Sequence, residues 1–353
     1  MKKAYTKAVL TASLAAAGLA FAFSPPLSAG EDPRYFSSKA VGTTTADFLN
    51  LAAGARAAAM GGAYSAVSDE ASAVYWNPAG LVQIPKLSAV FMRAQYFEDI
   101  SYQYAAYAHR LSYDSVLAGS LLMTDIGSIT QTDISGNINL TDPNFTPRDQ
   151  VFTLSYSKAI LEFSDKDIDV SIGVSLKYIK STIVDSAKSY AGDVGVMTYN
   201  FGDIPYRLAV TATNMGGGLS YDRESNPLPL TFKLGAALNP FRNLLVATDV
   251  VLPKQNKPNV LLGVELATAP NELTRLCVRG GLNAQQMSDG LGGLSLGVGA
   301  TLHFFSLDYA FVPMGELGAT HRISLTFDFP FRSPIFQRRD RTIFTKMKGI
   351  SFK

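Results

Sequence analysis

The sequence feature that most constrains this chain is a two-residue alternation that recurs between residues 87 and 329. About fourteen segments alternate apolar residues with small, polar or charged ones, as expected for strands whose successive side chains point to opposite faces. Gly, Pro, Asn and Asp cluster between the segments, which is typical of turns. A helical period nowhere describes the segments better. The pattern therefore predicts an all-β protein.

The two faces of these segments differ in chemistry. Over residues 168–180, one face is aliphatic and aromatic, whereas the other carries Asp, Ser, Gly and Lys. Later segments place the following charged residues opposite large apolar faces: Asp249, Glu265, Arg275, Arg279, Asp308 and Arg322. A soluble sandwich does not collect charges beside such faces, so lipid is the simplest partner for the apolar side chains and a lumen for the charged ones. We therefore predict a transmembrane antiparallel up-and-down β-barrel of about 14 strands.

Composition and loop lengths agree with a membrane barrel. After the first thirty residues, no apolar run reaches the ~20 residues that a transmembrane helix needs. The connections 127–150 and 216–229 are long and fall at one end of the strands, whereas 112–115 at the other end is short. Outer-membrane barrels have short periplasmic turns, so both termini are expected in the periplasm. Aromatic residues near strand ends, among them Tyr102 and Tyr199, are expected at the membrane surfaces.

The two ends of the chain differ from its middle. Lys2, Lys3 and Lys7 precede an apolar stretch over residues 8–23, and small residues follow, which is typical of a secretory signal peptide. We predict a signal peptide over residues 1–29, a plug segment over 30–85, the barrel over 86–329 and a basic periplasmic tail over 330–353. The tail is open to two interpretations, contact with an anionic polymer or lipid and a solvated end.

The residue types that usually carry enzymatic chemistry are not grouped in the sequence. His109, His303 and His321 fall in separate predicted strands and lack the spacing of metal ligands. Cys277, the single cysteine, shares a strand face with two arginines, which fits either a reactive thiol or a small buried side chain. We therefore predict no enzyme activity, catalytic residue, metal site, cofactor or nucleic-acid partner.

Residues 54–81, which precede the strands, read GARAAAMGGAYSAVSDEASAVYWNPAGL. Such a segment has too few large side chains to form a core of its own, but it suits close packing inside a larger structure. Asp69 is expected to cap a short helix that runs through Tyr75. Pro78 is then expected to end this helix, and Gly80 to close a turn.

The order and spacing of residues in this stretch resemble the N-terminal signature of the PorV/PorQ family of outer-membrane proteins. That family is related to the FadL-type long-chain fatty-acid channels. The residues that carry the resemblance are Arg56, Met60, Gly61, Gly62, Ala63, Tyr64, Asn77, Pro78, Ala79 and Gly80. The resemblance implies that this stretch is a small helical plug inside the lumen of the barrel.

Three alternative functions follow for an outer-membrane protein of a diderm bacterium, and the resemblance implies the first two. The first is a passive uptake channel for hydrophobic small molecules, in which the plug controls entry. The second is a component of type IX protein secretion that shuttles exported proteins at the cell surface, and the third is a structural or surface-antigen barrel. The implied partners are outer-membrane lipid, hydrophobic small molecules or secreted proteins, and the barrel-assembly machinery.

The inward charges suggest how such a plug is held. One hypothesis is that Asp249, Glu265, Arg275 and Arg279 pair with each other and with plug residues, because desolvated charges need partners. The candidates on the plug are Arg56, Asp69 and Glu70. The alternative is a network of ions that stabilises the barrel alone.

Overall fold

The computed structural model describes residues 35–329, apart from 97–99, 134, 139–143, 164–167, 201–204, 222–224 and 272. The expected signal peptide and basic tail lie outside these residues. Within the described part of the chain, no helix has both the length and the apolar character needed to cross a membrane.

The described residues form eighteen strands, of which fourteen build one closed sheet. The strands are β1 (Leu87–Gln95), β2 (Ser101–Arg110), β3 (Ser115–Asp125), β4 (Ile129–Thr130), β5 (Asn144–Phe145), β6 (Arg148–Phe163), β7 (Ile168–Thr182), β8 (Ser186–Asn200), β9 (Tyr206–Gly216), β10 (Leu219–Ser220), β11 (Ser225–Asn226), β12 (Thr231–Phe241), β13 (Leu244–Pro253), β14 (Asn259–Asn271), β15 (Thr274–Asn283), β16 (Leu294–Leu302), β17 (Phe305–Pro313) and β18 (Ala319–Phe329). The short hairpins β4–β5 and β10–β11 lie in two connections outside the closed sheet.

Each barrel strand pairs antiparallel with its neighbours in the chain, and β1 closes the barrel against β18. Leu87 at the start of β1 faces Phe329 at the end of β18, so the first and last barrel strands meet at one end. The predicted fold, an antiparallel barrel of about 14 strands, is confirmed.

The alternation of the sequence separates the outside of the barrel from its lumen. Leu176 and Val278 point outward and are 62% and 61% exposed, as required of side chains that face lipid. Lys177 points inward and is 5% exposed. The expectation for Tyr102 and Tyr199 was wrong, because both rings are buried in the lumen, where their hydroxyls reach carbonyl oxygens of the inner segment.

The long connections lie at one end of the barrel, which we call the long-loop end. They include 126–147, 217–230, 254–258 and the 3₁₀ turns of Ala284–Gly293, whereas 242–243 at the opposite, short-turn end has two residues. The placement agrees with the loop lengths read from the sequence.

Residues 35–84 fill the lumen, and we call them the plug. The plug contains helices α1 (Ala55–Ala59) and α2 (Ala73–Trp76), and 3₁₀ turns at Ser38–Ala40, Asp47–Asn50 and Pro78–Gln83. It starts at the long-loop end, where the Phe36 N–H donates to the Lys254 carbonyl, and descends to the short-turn end, where Arg110 donates to the Ile84 carbonyl. The core of the protein therefore consists of plug residues packed against the inward side chains of the barrel.

The expected cap at Asp69 was wrong. The N-cap position of α2 is Ser72, without a side-chain hydrogen bond to the helix. The Asp69 carboxylate is bonded to Arg56 instead, because a buried charge gains more from an opposite charge than from a helix of one turn.

Candidate functional site

The plug contacts the wall through glycines that face each other across neighbouring strands. Gly263 of β14 pairs with Gly281 of β15, and the Met60–Gly61 peptide lies directly over them. A side-chain carbon at 263 would lie 2.7 Å from the Met60 carbonyl oxygen, and one at 281 would clash with the Gly61 nitrogen. Gly61 itself has a φ of 65°, which glycine adopts without strain. Residues 56–64 of the plug, which we call its first signature motif, therefore lie in a groove that exists because two wall residues lack side chains.

A second pair of wall glycines contacts residues 77–80, which we call the second signature motif. Gly173 of β7 pairs with Gly195 of β8. A side chain at 173 would clash with the Pro78 backbone, and one at 195 with the Asn77 amide oxygen. Both ends of the plug signature are thus docked on bare backbone of the barrel.

The second motif is also held by hydrogen bonds. The Asn77 amide oxygen accepts from the Ala79 N–H (3.0 Å), and its amide nitrogen donates to the Ser65 carbonyl (2.9 Å). Asn77 is fully buried and so ties the two halves of the plug together. Wall hydroxyls then converge on the Ala79 carbonyl oxygen, namely those of Ser157, Ser171 and Tyr199.

A buried ion network joins the plug to the opposite part of the wall. Arg56 of α1 donates to Glu265 of β14 (Nε–Oε2 2.9 Å), and Glu265 is 1% exposed. Glu265 also accepts from Arg275 and Arg279 of β15, each at 2.7 Å. Arg279 continues the chain of ion pairs to Asp308 of β17 at 2.6 Å. One glutamate therefore accepts hydrogen bonds from three arginines, one of which belongs to the plug.

Asp69 extends this network within the plug. Its carboxylate binds Arg56 (2.5 Å) and lies 3.8 Å from Arg207 of β9. Burial alone would raise the pKa of Asp69, but Arg56 and Arg207 hold this pKa below its usual value. Arg207 was missed in the sequence, although its alternation with outward Tyr206 and Leu208 places it on the lumen face.

Asp249 does not join the ion network. The hypothesis that it pairs with Glu265, Arg275 and Arg279 on the following strands was therefore wrong for this residue. Its Oδ2 accepts from the backbone N–H groups of Tyr64 and Ser65 (3.2 and 3.0 Å) and from the Ser65 hydroxyl. Backbone N–H groups that donate to a carboxylate form strong, charge-assisted hydrogen bonds, and here all of them reach Oδ2. Asp249 is therefore a separate attachment of the plug to β13.

Two further predicted residues also lie apart from the ion network. Glu70 is buried and accepts from the Ser72 hydroxyl (2.7 Å). Burial raises the pKa of the Glu70 carboxyl to about 7, opposed by Arg56 and reinforced by Asp308 and Asp69. Arg322 lies on β18, where it donates to the Ala52 carbonyl (3.1 Å) rather than to a carboxylate.

The histidines and the cysteine are not brought together in the part of the chain that the structure describes. The three histidines lie on different strands, and Cys277 is buried on the lumen face. Among the described residues, no group of three or more His, Cys, Asp or Glu is placed to hold a metal ion. The alternation of the sequence indicates that the wall glycines and Arg207 lie on the lumen face. No sequence pattern indicates which plug residues they contact.

A cavity of about 440 Å³ lies between the plug and the long loops. Its lining includes Gly61, Gly62, Tyr75 and Trp76 of the plug. The plug thus has one face locked to the wall and another that borders this cavity.

A model of one protein family matches the part of the chain that holds the plug. The model describes the type IX secretion system protein PorV and matches residues 36–251, which is more than half of the chain. The chain belongs to the PorV family. The match includes both signature motifs and ends within β13, so the resemblance read from the plug is confirmed. Among curated proteins, none matches this chain.

Solved structures of several transporters match this chain, and for one of them the TM-score exceeds 0.5. The Ralstonia pickettii toluene transporter TbuX matches with a TM-score of 0.52 at 13% identity, over 79% of this chain and 98% of that one. The Pseudomonas putida toluene transporter TodX is 12% identical (TM-score 0.45, 78% and 96% covered), and a Pseudomonas aeruginosa FadL homologue 11% identical (0.46, 78% and 98%). At such identities, the TbuX likeness establishes a common fold alone. This member of the PorV family is an outer-membrane β-barrel.

Proposed function

We propose that this protein is a component of type IX secretion that works as a closed barrel and contacts exported proteins through its long loops. The family match supports the secretion role. The observation that carries the closed state is the attachment of the plug: two glycine pairs, one buried ion network and Asp249 all fix it to the wall. Passage through the lumen requires these contacts to break together.

The test uses a bacterium with type IX secretion from which the chromosomal copy has been deleted. Exported proteins should accumulate in the periplasm of this strain and return to the medium when the wild-type gene is supplied. A variant whose β4–β5 hairpin is replaced by a short turn should fold but restore secretion less well. Removal of the β10–β11 hairpin serves as a matched loop control. Normal secretion in the deletion strain would refute the proposal.

Passive uptake of hydrophobic small molecules is the second candidate. The TbuX likeness favours it at the level of the fold, since that barrel is described as a toluene transporter. In this case the deletion strain should secrete normally but take up toluene more slowly. The same pair of measurements therefore separates the two functions.

A further inference from the structure

The cavity at the long-loop end is polar. Its lining is rich in side-chain amides, most of which lie in or beside the β13–β14 and β15–β16 connections: Gln255, Asn256, Asn259, Asn283, Gln285 and Gln286. Its volume of about 440 Å³ falls in the range of about 300–1,000 Å³ that is usual for small-molecule sites. An apolar ligand would leave many of these amides without partners, which is costly.

Several amides are already ordered by one another. The Asn259 amide donates to the Asn283 side-chain oxygen (2.7 Å), and the Gln285 amide donates to that of Asn256 (3.1 Å). Gln255 differs, because its buried side-chain oxygen has no hydrogen-bond partner among the described residues. Buried acceptors are nearly always satisfied, so an unpaired one in a cavity wall indicates a donor on a bound molecule.

Positive charge lies on two facing walls of the cavity. The Lys233 ammonium of β12 sits 4.8 Å above the Trp76 ring, and it has no carboxylate within ion-pair distance among the described residues. The Arg322 Nε of β18 is buried without a hydrogen-bond partner there. β12 and β18 are six positions apart around the fourteen-stranded barrel, which places these two cations nearly opposite each other.

The remaining charges do not cancel this excess. Lys177 is neutralised by Asp193 (2.7 Å). Asp47 is the only acidic residue among those that line the cavity in the described part of the chain, and its carboxylate accepts from the Thr44 hydroxyl. The cavity therefore has a net positive lining.

We propose that this cavity binds a hydroxyl-rich organic anion, of which an acidic sugar is the simplest kind. Amides that donate and accept match hydroxyl groups, and cations match a carboxylate. Tyr75 and Trp76 line the cavity as an edge-to-face pair, and this aromatic floor can contact an apolar sugar face. The two cations on facing walls fit a ligand that extends across the floor. The site goes beyond the proposed secretion role and does not depend on it.

The test uses the folded full-length barrel in detergent and three probes: D-glucuronate, D-glucose and toluene. Trp76 is the single tryptophan of the chain, so its fluorescence reports occupation of the cavity floor. D-glucuronate should change this fluorescence and bind calorimetrically at concentrations at which glucose and toluene do neither. Lys233→Met should weaken glucuronate binding about tenfold, because a charged hydrogen bond is lost. Lys188→Met, on the exposed outer face of β8, should leave the affinity unchanged.

Gln255→Leu provides a second variant, in case Lys233→Met does not fold. It should weaken both glucuronate binding and any residual glucose binding. The proposal is overturned if glucuronate fails to bind, if glucose binds equally well, or if toluene is the preferred probe. It is also overturned if both lining variants bind glucuronate like the wild type, since ordered water would then suffice for the unpaired groups.

Discussion

Arg56 of the plug and Glu265 of the barrel wall form a buried salt bridge of 2.9 Å although 209 positions separate them in the chain. This pair connects the first signature motif to the cluster of charges on β14, β15 and β17. It also means that Glu265 has its full set of arginine partners only when the plug is in place.

Replacement of Glu265 by Gln should loosen the plug and destabilise the barrel. Arg56 and Arg279 would remain buried without their carboxylate, and such a loss costs about 3–5 kcal/mol of the free energy of unfolding. Urea unfolding in detergent and protease sensitivity of the plug measure the two effects. Glu316→Gln, in an exposed turn, is the control and should change stability by less than about 0.5 kcal/mol. An unchanged plug in Glu265→Gln would show that the network is not what holds it.

Replacement by alanine should destabilise the protein at one of two neighbouring glycines on β15 and be tolerated at the other. A Cβ at 281 would clash with the Gly61 nitrogen, whereas one at 280 meets nothing within 4 Å. Gly281→Ala should therefore displace the Met60–Gly61 peptide and destabilise the protein by about 1–3 kcal/mol. Gly280→Ala should be tolerated. Limited proteolysis of the plug distinguishes the variants, and equal protection in both would contradict the glycine groove.

Asn77→Ala should separate the two halves of the plug. It removes the acceptor for the Ala79 N–H and the donor for the Ser65 carbonyl, both buried, at a cost of about 1–3 kcal/mol. Asn77→Ser keeps an acceptor at this N-cap and should lose less. Hydrogen exchange at Ala79 measures the change directly. If the alanine variant exchanges as slowly as the wild type, Asn77 does not hold this turn.

Stability should fall as the pH rises through the range in which Glu70 titrates. The folded-state pKa of Glu70, about 7, lies above the value of about 4.3 for an unfolded chain, so folding favours the protonated form. Its contribution is complete below about pH 4 and is lost as the pH approaches and passes 7. Glu70→Gln should abolish this dependence and be more stable than the wild type by about 2–4 kcal/mol at pH 8. Unfolding at pH 5 and pH 8 tests this, with Glu316→Gln expected to keep the wild-type slope.

The sequence predicted the wall of this protein better than its interior contacts. Alternation places Glu265, Arg279 and Asp308 on the lumen face without any knowledge of the fold, and they do form one network. The alternation could not predict that Asp249 and Arg322, which lie on the same face, remain outside this network. Both point inward as predicted, but height and position around the barrel decide which plug group each one meets.

Tyr199 is a second residue whose surroundings the sequence did not predict. An aromatic residue near the end of a strand is compatible with the membrane surface and with the lumen, and here its hydroxyl bonds to the Ala79 carbonyl of the plug. Asp69 likewise had a plausible local partner in a helix end. A buried arginine from elsewhere in the plug outweighed that partner.

The sequence by itself determined the barrel. Its strands alternate apolar residues with small or polar ones, so one face of the sheet suits lipid and the other suits a lumen. It also indicated that residues 54–81 pack inside something larger, because they have too few large side chains to form a core of their own. The tertiary structure alone decided which surfaces meet, namely the Gly263–Gly281 and Gly173–Gly195 grooves and the Arg56–Glu265 bridge. The reason is that these contacts depend on the register and closure of strands far apart in the chain, and local patterns contain no information about either.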